Sequence, residues 1–429
     1  MNEMTSTQAE RAFPEGFLWG SAGCAHQTEG NNTNSDWWEH ELAPDTIAGE
    51  PSGMACDSYN RFAEDWRLVA ESGQNSVRFS VEWARIEPEP GVFSSEAIDH
   101  YRQVIGTARD LGLKTCVSLH HFTSPIWFAR EGGWSSDGAV ELFRRYVREV
   151  AGSMGDLLEI VSTINEPNIV ASMGYVAGYF PPRQMDLMAS QRAIANLIKA
   201  HAATVEELRA KANVTTGLPL SVMDYVAGND SAEAQQVLQG VRHVMVGVWL
   251  EALRTGWIRG LAVPDVEVPG LAGADDFIGV QYYTRIATSP AAMPAEASER
   301  DDGAPAVEPY GERTTQMGFG WHPAGLGRVL DQIAEVGLPL IITENGIATD
   351  DDEDRKEFVR LHLEQVLEAI TRGVDVRGYY YWSLLDNFEW NFGYMPKFGL
   401  IAVDRATMER VPKSSLRWYG SVARANRLD

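Results

Sequence analysis

Two glutamates each follow an apolar, strand-like stretch of this sequence. Glu344 lies in LPLIITENG (338–346) and Glu166 in LEIVSTINEPN (158–168). An ionised group is costly to bury. One interpretation is therefore that each strand ends at the protein surface and its glutamate points into water. The functional alternative is that both strands are parallel strands of one α/β protein, whose chemistry lies where its strands end. Paired carboxylates across a pocket are what glycoside hydrolysis requires, one to protonate the leaving oxygen and one to attack or stabilise the anomeric centre.

Eight short apolar or β-branched runs alternate with longer amphipathic stretches along the chain. The predicted strands are FLWGSAG, NSVRFS, KTCVSLHH, LEIVSTIN, LPLSVM, DFIGVQYY, LPLIITENG and VRGYYYWSLLD. The helical patterns include residues 97–111, 139–154, 189–210 and 358–371. This alternation predicts βα units and a parallel sheet. Eight units favour an α/β fold of the single (β/α)8 TIM-barrel type, although periodicity alone leaves an open doubly wound sheet possible. In a barrel, Glu166 and Glu344 would meet at the C-terminal rim of the strands.

Charge and cysteine content limit the partners and the location. The 429 residues carry a formal net charge of −24, which argues against nucleic acid or an anionic membrane as a partner. Three widely spaced cysteines, Cys24, Cys56 and Cys116, fit neither a disulfide framework nor a metal site. With no membrane-length apolar run and no apolar leader, a cytoplasmic location is expected. No phosphate-binding or dinucleotide motif and no set of metal ligands occurs, so neither a cofactor nor a metal is expected.

The domain organisation follows from the same patterns. Residues 1–12 are expected to form an N-terminal tail and residues 13–429 one barrel domain, which inserted loops can extend beyond 400 residues. The segment 289–311 is rich in Ala, Pro, Asp and Glu and is expected to be a variable loop after the sixth strand. The acidic run 350–354 is expected to precede a helix, where negative charge suits the helix dipole.

Five ordered blocks of the sequence resemble glycoside hydrolase family 1, the β-glucosidase family. They are FPEGFLWGSAGCAHQTEG, RFSVEWARI, TINEP, ITENG and YYYWSLLDNFEWNFGYMPKFGL, and the resemblance runs from Phe13 to about Asp404. It implies a (β/α)8 fold and hydrolysis of β-glycosides with retention of anomeric configuration. It also implies that Glu166 is the acid/base and Glu344 the nucleophile.

The resemblance places Arg78 and Tyr283 beside the nucleophile. A retaining pair of carboxyl groups lies about 5 Å apart, which lets the nucleophile reach the anomeric carbon. A cation and a phenol both favour a carboxylate, so they are expected to lower the pKa of Glu344. The ionised Glu344 is expected in turn to raise the pKa of Glu166, so that Glu166 keeps its proton near neutral pH.

A shell of sugar-binding residues is also implied by the resemblance. The residues assigned to the sugar hydroxyls are Gln27, His121, Asn165, Glu389 and Trp390. Trp382 is expected to stack under the ring, and Phe398 to close the pocket near the exocyclic carbon. His120 and His121 are consecutive, so only one can face the barrel interior, and the register of the motif selects His121.

Some positions separate this chain from other members of that family. The branch that cleaves 6-phosphoglycosides has Ser at the position of Glu389, Lys at that of Pro396 and Tyr at that of Phe398. This chain lacks the Lys and Tyr that hold the phosphate, and Glu389 would repel it, so a phosphorylated substrate is disfavoured. Gln281 stands where Asn is usual and is expected to contact the substrate near the leaving group or the acid. Asn168 and Phe122 each replace a common Trp, which leaves the sugar and aglycone preference open.

These observations favour a retaining β-glycosidase acting on a small β-glycoside or a short oligosaccharide. A β-glucoside is the first candidate, and β-galactosides and β-fucosides are further ones. A transglycosidase would use the same covalent intermediate, and the sequence does not separate it from a hydrolase. A sugar-binding barrel without catalysis is a third alternative, against which the presence of both carboxylates argues. The sequence does not determine the oligomeric state.

Overall fold

Eight parallel strands form a closed barrel in the computed structural model, which describes residues 11–288 and 313–428. The strands are β1 (Leu18–Ala22), β2 (Ser76–Ser80), β3 (Lys114–Ser118), β4 (Ile160–Ser162), β5 (Thr215–Ser221), β6 (Phe277–Gln281), β7 (Leu340–Asn345) and β8 (Val376–Trp382). Each strand pairs with the next one along the chain, and β1 pairs with β8. All eight predicted strand segments are therefore confirmed, and the open sheet is excluded.

Helices separate the strands and cover the outside of the barrel. The α-helices of the described residues are Ala25–Thr28, Asp36–Leu42, Ser58–Ser72, Trp83–Ile86, Ser95–Asp110, Ile126–Arg130, Ala139–Met154, Pro167–Tyr175, Leu187–Arg209, Ala232–Arg242, Val248–Thr255, Pro323–Ala334, Asp352–Thr371 and Ser414–Ala425. Short 3-10 turns occur at Gly133–Ser135 and Trp390–Phe392, and a π-helical turn at His243–Gly247. Three small two-stranded sheets pair Asp224–Ala227 with Arg285–Thr288, Trp257–Ile258 with Val266–Glu267, and Ile401–Val403 with Arg410–Pro412.

The acidic run 350–354 caps a helix, as expected, but it also continues into the first turn of that helix and does not end before it. Asp351 caps the helix Asp352–Thr371, because its side chain accepts a hydrogen bond from the Glu353 amide (2.9 Å). The other acidic residues then fall in the first turn, where they complement the helix dipole. The predicted loop 289–311 lies outside the described residues.

Along most of the barrel strands, alternate residues belong to two different buried clusters. The larger cluster packs the strands against the helices and includes Trp19, Val117, Ile278 and Tyr379. The smaller cluster contains their neighbours in sequence, Leu18, Cys116, Phe277 and Tyr380, together with Trp382 and Trp390. This period of two is what a barrel requires, with one set of side chains inside and the other beneath the helices. The inner set leads directly to the rim where the two glutamates lie.

The two ends of the described chain are hydrogen-bonded to each other near the start of β1. The Leu428 amide donates to the Arg11 carbonyl (3.1 Å), and the Phe13 amide donates to the Asn426 carbonyl (3.0 Å). Asn426 also accepts a hydrogen bond from the Trp19 indole on β1 (2.9 Å). These bonds tie the helix Ser414–Ala425 to the beginning of the barrel.

Candidate active site

An irregularity in β7 turns Glu344 into the barrel. Strict alternation would put Glu344 on the same face as Leu340 and Ile342, which pack outwards against the helices. The pairing of β7 with β6 shifts register between Ile342 and Glu344, as in a β-bulge, a feature that can re-aim a side chain beside an active site. Glu344 therefore lines the cavity at the barrel mouth. It is buried and does not point to water.

The end of β7 is held against β8 by a close backbone approach. A β-carbon on Gly346 would lie 1.7 Å from the Trp382 carbonyl oxygen, so only glycine fits at this position. The preceding Asn345 accepts a hydrogen bond from the Tyr379 hydroxyl (2.6 Å) and donates to the Tyr282 carbonyl (2.6 Å). The sequence Glu-Asn-Gly thus fixes the backbone on both sides of the carboxylate.

Three side chains donate hydrogen bonds to the Glu344 carboxylate. Arg78 Nη1 reaches Oε1 at 2.6 Å, Gln281 Nε2 reaches the same oxygen at 2.8 Å, and the Tyr283 hydroxyl reaches Oε2 at 2.8 Å. The Arg78 side chain is fully buried, so its charge acts on Glu344 with little screening by water. The arrangement orients both oxygens and stabilises the ionised form.

Glu166 has a left-handed backbone, with φ of 42° and ψ of 56°. Pro167 begins the helix Pro167–Tyr175 immediately after it, and the Glu166 amide donates to the Pro219 carbonyl of β5 (3.1 Å). A residue other than glycine adopts such a backbone only where the surrounding structure imposes it. Here the turn from β4 into the helix places the Glu166 side chain in the wall of the same cavity as Glu344.

The two glutamates differ in how strongly they hold a proton. Burial, followed by the nearby charge of Glu344, raises the pKa of Glu166 well above its usual range, and the Ser221 hydroxyl only partly opposes this. Burial also raises the pKa of Glu344, against the lowering effects of Arg78, Tyr283 and Gln281. The expected contributions of Arg78 and Tyr283 therefore have the right sign, but the expectation of a net lowered pKa for Glu344 is wrong, because desolvation outweighs them. Glu344 remains the stronger acid of the pair, and the two titrations are coupled.

Asn165 and His121 form a second layer of hydrogen bonds behind the side chains that contact Glu344. Arg78 and Gln281 both donate to Asn165 Oδ1, the latter at 2.7 Å, and Asn165 Nδ2 donates to His121 Nε2 at 3.2 Å. The His121 ring lies nearly parallel to that of Trp382, with centroids 5.8 Å apart. His120 instead contacts Ser124 through Nε2 (3.1 Å) and is directed away from this network, as the register of the motif predicts.

The remaining predicted sugar-binding residues lie around the same cavity. Gln27 Nε2 donates to the Phe388 carbonyl (2.7 Å) and to Glu389 (3.3 Å), while Gln27 Oε1 has no hydrogen-bond partner among the described residues. Burial and the charge of Glu344 raise the pKa of Glu389 to about 8. These polar atoms suit the hydroxyls of a neutral sugar, which can both donate and accept.

The cavity has a volume of ≈ 210 Å³, and eight of the twelve residues predicted from the sequence line it. These eight are His121, Glu166, Tyr283, Glu344, Trp382, Glu389, Trp390 and Phe398. The other four, Gln27, Arg78, Asn165 and Gln281, contact the lining residues from behind by hydrogen bonds. The apolar residues of the outer cavity wall carry no motif and are not predicted from the sequence, among them Ile169, Met173, Phe180, Met223 and Met317.

The three departures from the family pattern have different structural roles. Gln281 connects Asn165 with Glu344, and its buried Oε1 has no hydrogen-bond partner among the described residues. Phe122 has φ of 68° and packs edge-on against Phe180 and Trp390. Asn168 is turned away from the cavity, donating to the carbonyls of Ser221 (2.7 Å) and Met245 (2.8 Å).

Shortening the amide at position 281 is expected to impair catalysis. The Gln281→Asn side chain, one methylene shorter, no longer reaches both Asn165 and Glu344 from the same backbone position. Losing a hydrogen bond to a charged group costs about 1.5–3 kcal/mol, so kcat/KM for an aryl β-glucoside should fall roughly tenfold or more. The matched control is Gln235→Asn at an exposed glutamine, which should behave as the wild type. Equal activity of the two variants would contradict a positioning role for Gln281.

The described residues contain neither a membrane-spanning helix nor a metal site. None of these helices combines the length and the apolar character needed to cross a membrane. No group of three or more His, Cys, Asp or Glu side chains within 11–288 and 313–428 is arranged to hold a metal ion.

Comparison with known proteins places this site in context. The sequence model described as Glycosyl hydrolase family 1 matches residues 9–428. Beta-glucosidase A of Thermotoga maritima is 31% identical, over 98% of this chain and 99% of that protein. The bifunctional beta-D-glucosidase/beta-D-fucosidase of Bifidobacterium breve is 31% identical, over 95% of this chain and 97% of that protein. The solved structure of a beta-glucosidase from Thermotoga maritima in complex with glucoimidazole has a TM-score of 0.88 and 29% identity, covering 98% of this chain and all of that one (100%).

Proposed function

Since this chain belongs to glycosyl hydrolase family 1, we propose that it is a retaining β-glycosidase that hydrolyses non-phosphorylated β-glycosides, with β-glucosides as its first substrates. β-Galactosides and β-fucosides are further candidates, and a glucosidase/fucosidase is among the relatives. The reaction is a double displacement through a covalent glycosyl-enzyme intermediate. We further propose that residues 13–429 act as one catalytic domain after the tail 1–12, in the cytoplasm and without a cofactor.

The observation that carries the proposal is the difference between two glutamates in one cavity. Glu344 accepts hydrogen bonds from Arg78, Gln281 and Tyr283, and so is held as an oriented carboxylate. Glu166 has none of these donors, and burial with the charge of Glu344 keeps its pKa well above the usual range. One carboxyl group is therefore suited to attack and the other to donate a proton.

The first half of the reaction forms the glycosyl-enzyme. A Glu344 carboxylate oxygen attacks the anomeric carbon while the bond from that carbon to the leaving oxygen breaks. Glu166 transfers its proton to the leaving oxygen, so the aglycone departs as a neutral alcohol. Loss of the negative charge on Glu344 removes the largest electrostatic cause of the raised pKa of Glu166, which makes Glu166 a better base for the next step.

The second half releases the sugar. Glu166 removes a proton from water, the water oxygen bonds to the anomeric carbon, and the bond to Glu344 breaks. Two inversions at the same carbon restore the β configuration. An alcohol in place of water would give transglycosylation by the same steps, and the structure favours neither acceptor. The arrangement of both carboxylates disfavours a barrel that only binds sugar.

The composition of the cavity wall supports a neutral substrate. Within residues 11–288 and 313–428, the residues that line the cavity include no lysine or arginine that could hold a phosphate. Phe398 lies against the Tyr283 ring, with centroids 6.2 Å apart, and presents an apolar edge to the cavity. Glu389 and Gln27 supply acceptors and donors for hydroxyl groups.

The pH dependence of kcat/KM should be bell-shaped, with limbs that belong to the coupled pair. The first step needs protonated Glu166, whose pKa is raised by burial and by Glu344, so activity is retained in neutral solution and lost as the pH rises through that pKa. It also needs ionised Glu344, whose pKa burial raises, so activity is lost as the pH falls through the lower value. For a substrate with a good leaving group, Glu166→Gln should lose the alkaline limb and keep the acid limb. Persistence of the alkaline limb in Glu166→Gln would assign that limb to another group.

The proposed function is tested by following hydrolysis of an aryl β-glucoside by proton NMR. The β anomer of glucose should appear first and mutarotate later to the equilibrium mixture. Initial release of the α anomer would contradict retention. Absence of turnover with β-glucosides, β-galactosides and β-fucosides would favour the sugar-binding barrel.

A further inference from the structure

Apolar side chains line the outer part of the cavity that contains Glu166 and Glu344. These residues are Ile169, Met173, Phe180, Met223, Met317 and Phe319. All six are only partly buried in this structure. Partly exposed large apolar groups that converge on one cavity indicate a surface for an apolar ligand.

The position of this wall relative to the acid identifies what it contacts. Ile169 and Met173 lie one helical turn apart on Pro167–Tyr175, the helix that begins directly after Glu166. Met223 lies two residues after Ser221, whose hydroxyl bonds Glu166. The group that Glu166 protonates is the leaving oxygen, so Ile169, Met173 and Met223 belong to the leaving-group side of the cavity.

Two amide side chains near this wall, those of Asn168 and Asn391, are already engaged within the protein. The Asn168 amide donates to the Ser221 and Met245 carbonyls, and its Oδ1 accepts from the Ser221 amide (3.3 Å). Asn391 donates to the Tyr179 carbonyl (2.8 Å) and contacts His40 through its Oδ1 (2.9 Å). A second sugar in this position would lose hydrogen bonds to water without regaining them from these two amides.

We propose that the leaving-group side of the cavity selects an apolar alcohol, of alkyl or aryl type, over a second sugar residue. This inference rests on the proposed function, because it concerns the aglycone of the same substrate. Methionine side chains are unbranched and polarisable, so they adapt to aglycones of different shape. The sugar-binding residues determine which glycone is bound, and the apolar wall determines which aglycone is preferred.

A series of n-alkyl β-glucosides from methyl to octyl, below their micelle-forming concentrations, tests the proposal. The leaving-group basicity is nearly constant along the series, so changes in kcat/KM report binding of the chain. Each fully buried methylene contributes roughly a factor of four. We expect kcat/KM to rise at least tenfold between methyl and hexyl glucoside, and hexyl glucoside to exceed cellobiose, which carries a second glucose.

A flat alkyl series, or cellobiose exceeding hexyl glucoside, would overturn the aglycone preference and leave the proposed function intact. The proposed function fails separately if an activated aryl glucoside is not turned over at all, and the aglycone inference fails with it. The two failures are therefore distinguishable within one set of assays.

Variants that change polarity without changing length test which residues are responsible. Met173→Gln and Met223→Gln should each lower the octyl-to-methyl ratio of kcat/KM several-fold, mainly through KM. The ratio is independent of the fraction of active enzyme, so partial loss of folding does not affect it. Met188→Gln, at a methionine that is 43% exposed outside the cavity, is the matched control and should leave the ratio unchanged. An unchanged ratio in both cavity variants would overturn the role of the methionines.

Discussion

Replacing Glu344 by glycine should lower kcat by roughly 10⁴- to 10⁶-fold, the range expected when the nucleophile of a covalent mechanism is removed. Azide should restore turnover of an activated aryl β-glucoside, because the space left by the carboxylate lies beside the Arg78 guanidinium, which attracts an anion. The azide attacks the face that Glu344 normally occupies and no second displacement follows. The product should therefore be the α-glucosyl azide, identified by NMR.

The rescue also controls for folding. Loss of Glu344 leaves the buried Arg78 without its carboxylate, and breaking a buried ion pair costs about 3–5 kcal/mol. Recovery of activity with azide shows that the remaining site is intact. Glu335→Gly, at an exposed glutamate that follows the helix Pro323–Ala334, is the matched control and should keep wild-type activity. A Glu344→Gly enzyme that hydrolyses at the wild-type rate would exclude Glu344 as the nucleophile.

Replacing Glu166 by glutamine should have an effect that depends on the leaving group. An alkyl glucoside needs a proton on its leaving oxygen, so kcat/KM should fall by about 10²- to 10⁴-fold, the usual contribution of general acid catalysis. A dinitrophenyl glucoside departs without a proton, so its kcat/KM should change little. Its kcat should still fall, because Glu166 no longer removes the proton from water in the second step.

The product formed with azide distinguishes Glu166→Gln from Glu344→Gly. In Glu166→Gln the covalent intermediate on Glu344 still forms, and azide needs no base to attack it. The product should be the β-glucosyl azide, opposite in configuration to that of Glu344→Gly. The same fall in kcat/KM for alkyl and dinitrophenyl glucosides would indicate a structural role for Glu166 and contradict its assignment as the acid.

The periodicity of the sequence predicts the eight strands and a parallel sheet, but only the structure excludes an open sheet in favour of the closed barrel. Buried parallel strands give short apolar runs and amphipathic helices give longer periodic ones, and the eight alternations were read correctly. The helix Ala139–Met154 matches its predicted bounds, while the helix after Glu344 begins at Asp352 inside the acidic run, because Asp351 serves as its cap. Cap positions depend on one hydrogen bond, which periodicity does not report.

The site was predicted less completely because its geometry departs from regular structure. Alternation along β7 would turn Glu344 outwards, and only the register shift after Ile342 brings it inside. Similarly, the left-handed backbone of Glu166 is imposed by its surroundings and has no signature in a glutamate. The net pKa of Glu344 was misjudged because its burial outweighs the charge of Arg78, a balance that depends on depth in the barrel.

The residues that form the outer wall of the cavity could not be predicted from the sequence. Met173, Met223 and Met317 come from three separate segments and carry no motif, so only the folded chain shows that they converge. The sequence predicts that Asn168 departs from the family pattern, but its engagement with the Ser221 and Met245 carbonyls depends on a contact between distant segments. The proposed aglycone preference therefore rests on packing rather than on residue types.

Covalent trapping on Glu344 tests the central claim most directly. The protein is incubated with an activated 2-deoxy-2-fluoro-β-glucoside, whose fluorine slows both steps while its good leaving group keeps formation of the intermediate faster than its breakdown. Mass spectrometry of the intact protein should show one added fluoroglucosyl group, and peptide mapping should place it on Glu344. An adduct on another residue, or no adduct from an enzyme that turns over aryl glucosides with inversion, would contradict a retaining mechanism with Glu344 as the nucleophile.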